Sequence, residues 1–200
     1  MVEDDRNGVI GDALLSGIVN DSRSKGTTLV FDSGDSFQGL PISNSSKGED
    51  MASVMNAVGF DAMTVGNHEF DFGLDQLRRL SKQINFPIIT SNVYVDGVRL
   101  FQPSTIVDKT PGVDGDEVVV IGVTTPETAT KTHPRNIPVS LSPILFLRLR
   151  LLLTKWNQMP VPKVRNTRLM LSLVTWVLIQ QLQLNGVDQL WQKLFQTMHL

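Results

Sequence analysis

The chain has 200 residues, 41% of them hydrophobic and 19% charged, with a formal net charge of −2. That length suffices for a domain with a hydrophobic core, and the balanced charge does not indicate a nucleic-acid partner. No cysteine is present, which excludes disulfides and thiolate metal sites. The first residues, Met1 to Arg6, include no basic stretch followed by an apolar one, so we expect no signal peptide here.

The charge changes sign along the chain. Residues 1–138 carry 19 acidic and 11 basic side chains, a net charge of −8. Residues 139–200 carry seven basic side chains and a single acidic one, Asp188, a net charge of +6. This second part is rich in leucine and lacks glutamate. We therefore predict a domain over residues 1–138 and a separate basic tail over residues 139–200.

Residues 1–138 alternate between helical and strand patterns. Apolar residues at helical spacing, beginning with Leu14 and Leu15, predict a helix over about residues 9–24. The β-branched and apolar run 27–31 predicts a buried strand. Further helices are predicted over 49–58 and 74–84, and further strands over 62–65, 86–90 and 117–123. Strands that alternate with helices predict an α/β fold, in which ligands bind beyond the carboxyl ends of the strands.

A first polar cluster, Asp32-Ser33-Gly34-Asp35-Ser36-Phe37-Gln38-Gly39, directly follows the first predicted strand. A carboxylate held at the end of a buried strand suits a divalent metal, and one carboxylate can bridge two ions. The alternative is a turn in which Asp and Ser side chains bind nearby backbone groups. The residues by themselves leave both interpretations open.

A second polar cluster, Gly66-Asn67-His68-Glu69-Phe70-Asp71-Phe72-Gly73, follows the next predicted strand. Asn67 offers a neutral carbonyl oxygen to a metal, and His68 can donate a hydrogen bond or a proton to a phosphoryl group. Asp71, three residues later, can orient the imidazole and raise its pKa. The alternative is a helix start at which Asp71 is a cap and His68 an ordinary loop residue.

Both clusters resemble signature blocks of the calcineurin-like metallophosphoesterases. The Glu-Phe-Asp extension of the second block is typical of the bacterial 5'-nucleotidase and 2',3'-cyclic phosphodiesterase branch. The stretches Thr90-Ser91-Asn92-Val93 and Gly122-Val123-Thr124-Thr125-Pro126-Glu127-Thr128 are also similar to this family. The resemblance extends from residue 1 to about residue 137.

The resemblance implies a partial calcineurin-like sandwich over residues 1–138 and metal-dependent hydrolysis of nucleotide phosphomonoesters such as AMP. Asp35 would bridge two divalent ions (Zn, Mn, Mg, Ca or Co), and Asn67 would bind the second. His68 with Asp71 would form the catalytic dyad. Members of the family are typically exported or anchored to the cell wall; the location of this chain is left open.

Other blocks of the family are missing from the sequence. An Asp-x-His-Gly block and later Gly-His and Gly-His-x-His blocks supply further ligands in the family, whereas the histidines here are His68, His133 and His199. The domain that grips the nucleoside has no counterpart either. We therefore expect the chain to begin just after the first block and to be inactive or nearly so, since catalytic metals usually need three or more protein ligands.

A frameshift close to Pro138 would account for the tail. Permitted codons for residues 173–181, read two bases later, encode Gly-His-Leu-Gly-Ile-Asp-Thr-Thr, which resembles the missing Gly-His block. The same shifted frame yields Thr-Pro-Thr-Glu-Trp-Arg-Gly-Ser from residues 182–189 and Val-Thr-Phe-Thr-Asp-Pro-Ile from residues 139–145. Three family-like stretches in one frame favour this hypothesis.

Two other functions stay open. The chain can be a catalytically dead fragment, with a tail that is disordered or irregularly helical. It can also be a surface-binding or membrane-binding module that uses its basic tail. The apolar runs 145–153 and 169–179 are shorter than the 18 or so residues that a membrane-spanning helix needs, so we predict no transmembrane segment.

Overall fold

A three-stranded parallel sheet carries both polar clusters at one edge. Its strands are β1 (Phe31–Asp32), β2 (Ala62–Thr64) and β3 (Ile88–Ile89), in that spatial order. The pairing is parallel throughout, with Asp32 opposite Met63 and Thr64 opposite Ile89. The carboxyl ends of β1 and β2 therefore lie side by side. The computed structural model describes residues 10–111, 117–125 and 127–136, together with the backbone of 139–141 and 168–173.

Helices cover one face of this sheet. Helices α1 (Asp12–Lys25) and α2 (Pro41–Ser45) pack against α3 (Glu49–Val58), which lies beside α4 (Leu74–Gln83). A fifth helix, α5 (Thr128–Lys131), follows later in the chain. Helix α4 buries leucines at i, i+3 and i+6, and α3 ends at Gly59 in a left-handed conformation with φ of 81°. The largest apolar cluster lies between these helices and the sheet and includes Phe37, Phe70 and Leu77, all 0% exposed.

The chain forms two further sheets. The hairpin of β4 (Val93–Val95) and β5 (Val98–Arg99) belongs to one, and its Val93 packs in the apolar cluster on the helical side. The antiparallel pair β6 (Ser104–Val107) and β7 (Val118–Val123) belongs to the other, in which β7 contacts β2 and β3 and covers the opposite face. Strand β7 is buried along its whole length. At Gly122 it approaches the parallel sheet so closely that a Cβ atom would lie 2.2 Å from the carbonyl oxygen of Ile89.

The predicted α/β pattern is confirmed over the described part of residues 1–138. The helices predicted over 49–58 and 74–84 are α3 and α4, and the predicted strands correspond to β1, β2, β3 and β7. The β4–β5 hairpin was not predicted, although its signal is present. Asp96 and Gly97 have φ of 49° and 78°, as an Asp-Gly turn between two strands requires.

The tail differs in part from the expectation of disorder or irregular helix. Its described segments are two strands, β8 (Val139–Leu141), antiparallel to β4, and β9 (Arg168–Leu173), parallel to β7. The sequence of β9 alternates leucine with other residues, a pattern of period two that favours a strand. The other tail residues lie outside the described part, and the boundary near residue 138 and its frameshift remain predictions.

Within the residues that the structure describes, no helix has the length and apolar character needed to cross a bilayer.

We predict that Gly122→Ala destabilises the fold by about 1–3 kcal/mol, the usual cost of overpacking, because the new methyl group would overlap the backbone of β3. Urea unfolding would measure the change. Gly17→Ala is the matched control, since a Cβ at this position of α1 meets nothing within 4 Å. The control should be neutral or stabilising because alanine favours a helix. Equal effects of the two substitutions would contradict the close packing of β7 on β3.

Candidate functional site

The turn after β1 is closed by Asp32. Its Oδ1 accepts a hydrogen bond from the Gly34 N–H at 2.7 Å, and its Oδ2 accepts one from the Ser36 hydroxyl at 2.7 Å. Burial raises the pKa of Asp32; these two hydrogen bonds oppose that rise, and the charge of Asp35 adds to it. Both carboxylate oxygens of Asp32 thus serve the turn, as the structural interpretation of the first cluster predicts.

Two glycines bring the first polar turn against the second. Gly34 has φ of 93°, and a Cβ there would lie 2.4 Å from the Gly66 nitrogen. A Cβ on Gly66 would lie 2.2 Å from Oδ1 of Asp35. Neither position has room for a side chain, so the contact between the turns depends on both glycines.

Asp35 connects the two clusters. It lies in the left-handed region with φ of 63°, uncommon for a residue other than glycine. Its Oδ1 accepts a hydrogen bond from the backbone N–H of His68 at 2.9 Å. His68–Phe70 form a short 3-10 turn rather than the start of a long helix. The Asp35 carboxylate therefore lies beside the residues that follow β2.

Glu69 joins the same two turns from inside the protein. This side chain is only 2% exposed, and its two oxygens accept four backbone N–H groups. The donors and their distances are Asp35 (2.6 Å), Ser36 (2.8 Å), Phe37 (3.3 Å) and Gly66 (2.7 Å). A single carboxylate thereby satisfies the buried donors of both turns, which would otherwise each cost free energy.

The ionisation of Glu69 reflects two opposed effects. Complete burial raises its pKa, and the nearby charges of Asp32 and Asp35 add to the rise. The hydrogen bonds from Asp35 and Gly66 favour the charged form and lower the pKa. The net result is a pKa raised to about 7.

His68 and Asp71 form a close pair. Nδ1 of His68 lies 2.6 Å from Oδ2 of Asp71, with the histidine side chain about half exposed. Burial lowers the pKa of His68, but the hydrogen bond to Asp71 and the negative charges of Asp35, Asp71 and Glu69 outweigh it, so the pKa is raised. An ionised Asp71 accepts the Nδ1 proton, which leaves Nε2 as the nitrogen for another partner.

Asn67 is buried beside these charges. The residue is 7% exposed, and its backbone oxygen accepts the Thr132 hydroxyl at 2.9 Å. Its side-chain oxygen is a neutral carbonyl of the type that hard divalent cations accept, so its chemistry fits the predicted metal ligand. No group of three or more His, Cys, Asp or Glu that could hold a metal occurs within the described part of the chain.

The structure thus brings together the four site residues predicted from the sequence, Asp35, Asn67, His68 and Asp71, at the carboxyl edge of the parallel sheet. It also assigns a role to Glu69, which the sequence identified only as part of a motif. Its one sequence signal was the position of a carboxylate directly before the apolar Phe70.

Part of the chain is similar to curated bacterial proteins. It is 37% identical over 135 residues to the protein UshA of Yersinia enterocolitica and 35% identical over 139 residues to the 5'-nucleotidase of Vibrio parahaemolyticus. These alignments cover 64% and 66% of the chain but 24% of each relative, so the chain spans about a quarter of their length. No protein-family model matches the chain.

Solved structures share the fold. The calcineurin-like phosphoesterase YfkN from Bacillus subtilis matches with a TM-score of 0.66 and 27% identity, over 80% of this chain and 52% of that one. The NAD nucleotidase of Haemophilus influenzae matches with a TM-score of 0.66 and 25% identity, over 81% of this chain and 31% of that one. The matched segment belongs to the 5'-nucleotidase family of calcineurin-like metallophosphoesterases.

We predict that Asp71→Asn lowers the pKa of His68, because a neutral amide removes both the hydrogen bond to a carboxylate and a nearby charge. An NMR titration of the imidazole would measure it. Asp75→Asn is the matched control, since Asp75 is a fully exposed carboxylate that pairs with Arg78. An unchanged His68 pKa in Asp71→Asn would contradict the pairing.

The same pair has a consequence for stability. A folded-state pKa above the ordinary value of 6.5 stabilises the fold below pH 6.5, and this stabilisation is lost as pH rises through the folded-state pKa. Urea unfolding of the unmodified chain and of Asp71→Asn should therefore differ more at pH 5.5 than at pH 8.5. If the difference in unfolding free energy between the two proteins is the same at both pH values, Asp71 does not raise the pKa of His68.

We predict that Glu69 makes the fold less stable as pH rises from about 4.5 to about 7. Its pKa is 4.5 in its ordinary state and about 7 in the fold, so unfolding releases a proton between these values. Glu69→Gln should remove this dependence from urea-unfolding free energies. The same substitution at Glu49 on α3 is the control, and a pH profile unaffected by Glu69→Gln would contradict the prediction.

Proposed function

We propose that this chain carries part of the catalytic centre of a metal-dependent hydrolase of nucleotide phosphomonoesters. The observation that supports it is the 2.6 Å contact between His68 and Asp71 directly beside the Asp35 carboxylate. The name 5'-nucleotidase of the Vibrio relative supports a nucleotide as substrate. We take AMP as the test substrate because it is the simplest nucleoside 5'-monophosphate.

His68 is the proposed catalytic residue. With Nδ1 bound to Asp71, Nε2 is the atom that donates to a phosphoryl oxygen or gives a proton to the leaving oxygen. The raised pKa keeps a larger fraction of the imidazole protonated near neutral pH. Asp71 orients the ring and stabilises its charged form, as an acidic partner does for a catalytic histidine.

Asp35 and Asn67 are the proposed metal ligands. Asp35 keeps Oδ2 outside the hydrogen bond that its Oδ1 accepts, and the backbone oxygen of Asn67, directly before His68, accepts the Thr132 hydroxyl. Both offer oxygen atoms, which hard divalent cations prefer. Two divalent ions, when bound, polarise the phosphoryl group and neutralise the charge that develops on its oxygens.

We propose that metal binding and hydrolysis are weak in this chain. Asp35 and Asn67 supply one carboxylate and one amide oxygen, whereas catalytic metal sites commonly have about three protein ligands. The carboxylates of Asp32 and Glu69 do not add to this set because their oxygens already accept hydrogen bonds within the fold.

Manganese binding followed by electron paramagnetic resonance tests the ligand assignment. We expect weak binding by the unmodified chain, a loss of about tenfold or more in affinity for Asp35→Asn because the ligand charge is removed, and no change for Asp75→Asn. Absence of manganese binding by the unmodified chain, or equal affinities for the two variants, would contradict the proposal.

Phosphate release from AMP with added manganese tests the catalytic assignment. We expect slow release that falls by at least about a hundredfold in His68→Ala, the usual contribution of a general acid. Release that persists unchanged in His68→Ala would show that another group or a contaminant is responsible.

A further inference from the structure

Three backbone carbonyls of residues 65–71, the loop that carries the catalytic pair, accept hydrogen bonds from outside the loop. The donors are side chains of residues 124–136, more than fifty positions further along the chain. The pairs are Thr124 Oγ1 to Val65 O at 2.7 Å, Thr132 Oγ1 to Asn67 O at 2.9 Å, and Asn136 Nδ2 to Asp71 O at 2.8 Å. We call Thr124, Thr132 and Asn136 the carbonyl clamp.

The loop has few strong hydrogen bonds of its own. Its 3-10 turn spans only three residues, a length at which such turns are weak in isolation. The N–H of Phe70 reaches the carbonyl of Asn67 at 3.3 Å, longer than the 2.9 Å from the Thr132 hydroxyl to the same oxygen. The stronger constraint on this carbonyl therefore comes from the clamp.

The clamp is itself fixed by a buried network. Thr124 is 0% exposed and Thr132 is 3% exposed, so neither hydroxyl can exchange its protein partner for bulk water at little cost. Asn92 accepts from the Thr124 N–H at 2.9 Å and donates to the Thr124 carbonyl at 2.7 Å. Since Thr124 gives its single hydroxyl proton to Val65, the 2.9 Å contact with Thr90 must have Thr90 as donor.

We propose that the carbonyl clamp positions His68 against Asp71. The hydrogen bonds of the clamp reach backbone oxygens and not the imidazole or the carboxylate; they hold the backbone at Asn67, just before His68, and at Asp71. Its members are thus positioning residues rather than catalytic ones. The importance of this positioning for catalysis rests on the proposed function, whereas the effect of the clamp on the His68–Asp71 geometry does not.

The substitution Thr132→Val tests the proposal because valine keeps the shape of threonine and removes the hydroxyl. Thr130→Val is the matched control: Thr130 is an exposed residue of α5, the helix that Thr132 caps, and its hydroxyl donates to Glu127 O. Thr132→Ser, which restores a hydroxyl, tests for rescue. Asn136→Ala is a second route to the same effect should Thr132→Val fail to fold, since Asn136 is only half-buried.

Two NMR readouts on the full chain need neither metal nor substrate. The first is the low-field Nδ1–H resonance of His68, which a short charge-assisted hydrogen bond to Asp71 should produce. The second is hydrogen exchange at the backbone N–H of His68, which donates to Asp35. We expect Thr132→Val and Asn136→Ala to broaden or shift the resonance and to speed exchange by about fivefold or more, with Thr130→Val and Thr132→Ser resembling the unmodified chain.

The outcomes separate positioning from general stability. If Thr132→Val lowers the urea midpoint but leaves both readouts unchanged, the clamp only stabilises the fold and the proposal is overturned. If both readouts change while no variant or parent releases phosphate from AMP, the clamp stands and the proposed function fails. If the parent is active, the clamp variants should lose kcat with KM little changed, because the imidazole is misplaced and the rest of the site remains intact.

Discussion

The contact between the turns after β1 and β2 is the constraint on which the rest of the site depends. Parallel pairing of the two strands brings the turns to one edge, but the last step needs glycine at positions 34 and 66, where a Cβ would overlap backbone or the Asp35 carboxylate. Only at this separation can Glu69 reach N–H groups of both turns at once. The geometry of Asp35 and His68 follows from that shared anchor.

The site concentrates negative charge in a partly buried place. Burial raises the pKa of both Asp32 and Glu69, and the charge of Asp35 adds to both rises. The charge of Asp32 raises the pKa of Glu69 further. The protein offsets the burial cost with hydrogen bonds from backbone and from Ser36. The same concentration of charge favours protonated His68 and suits a divalent cation. The carboxylates that hold the turns together therefore also set the charge around His68 and around the proposed metal ligands.

Support for the loop comes from two directions. Glu69 and Asp35 hold it from the side of β1, and the carbonyl clamp holds it from the side of residues 124–136. The clamp in turn depends on β7, whose close packing on β3 at Gly122 precedes Thr124 by two residues. The loop of residues 65–71 has little stability of its own, and it is held by the turn after β1 and by residues 124–136, which come together only in the folded chain.

The sequence by itself determined the periodic elements of residues 1–138 and the polar clusters at the ends of their strands, because apolar spacing and strand-end position are local properties. It also identified Asp35, Asn67, His68 and Asp71 through their motifs. It could not decide whether the Asp32 carboxylate accepts hydrogen bonds within its turn or binds a metal. Nor could it show that Glu69 accepts hydrogen bonds from residues more than thirty positions away. Tertiary structure decided both, because hydrogen bonds across such separations depend on strand register and on the approach of two glycines, neither of which a local pattern records.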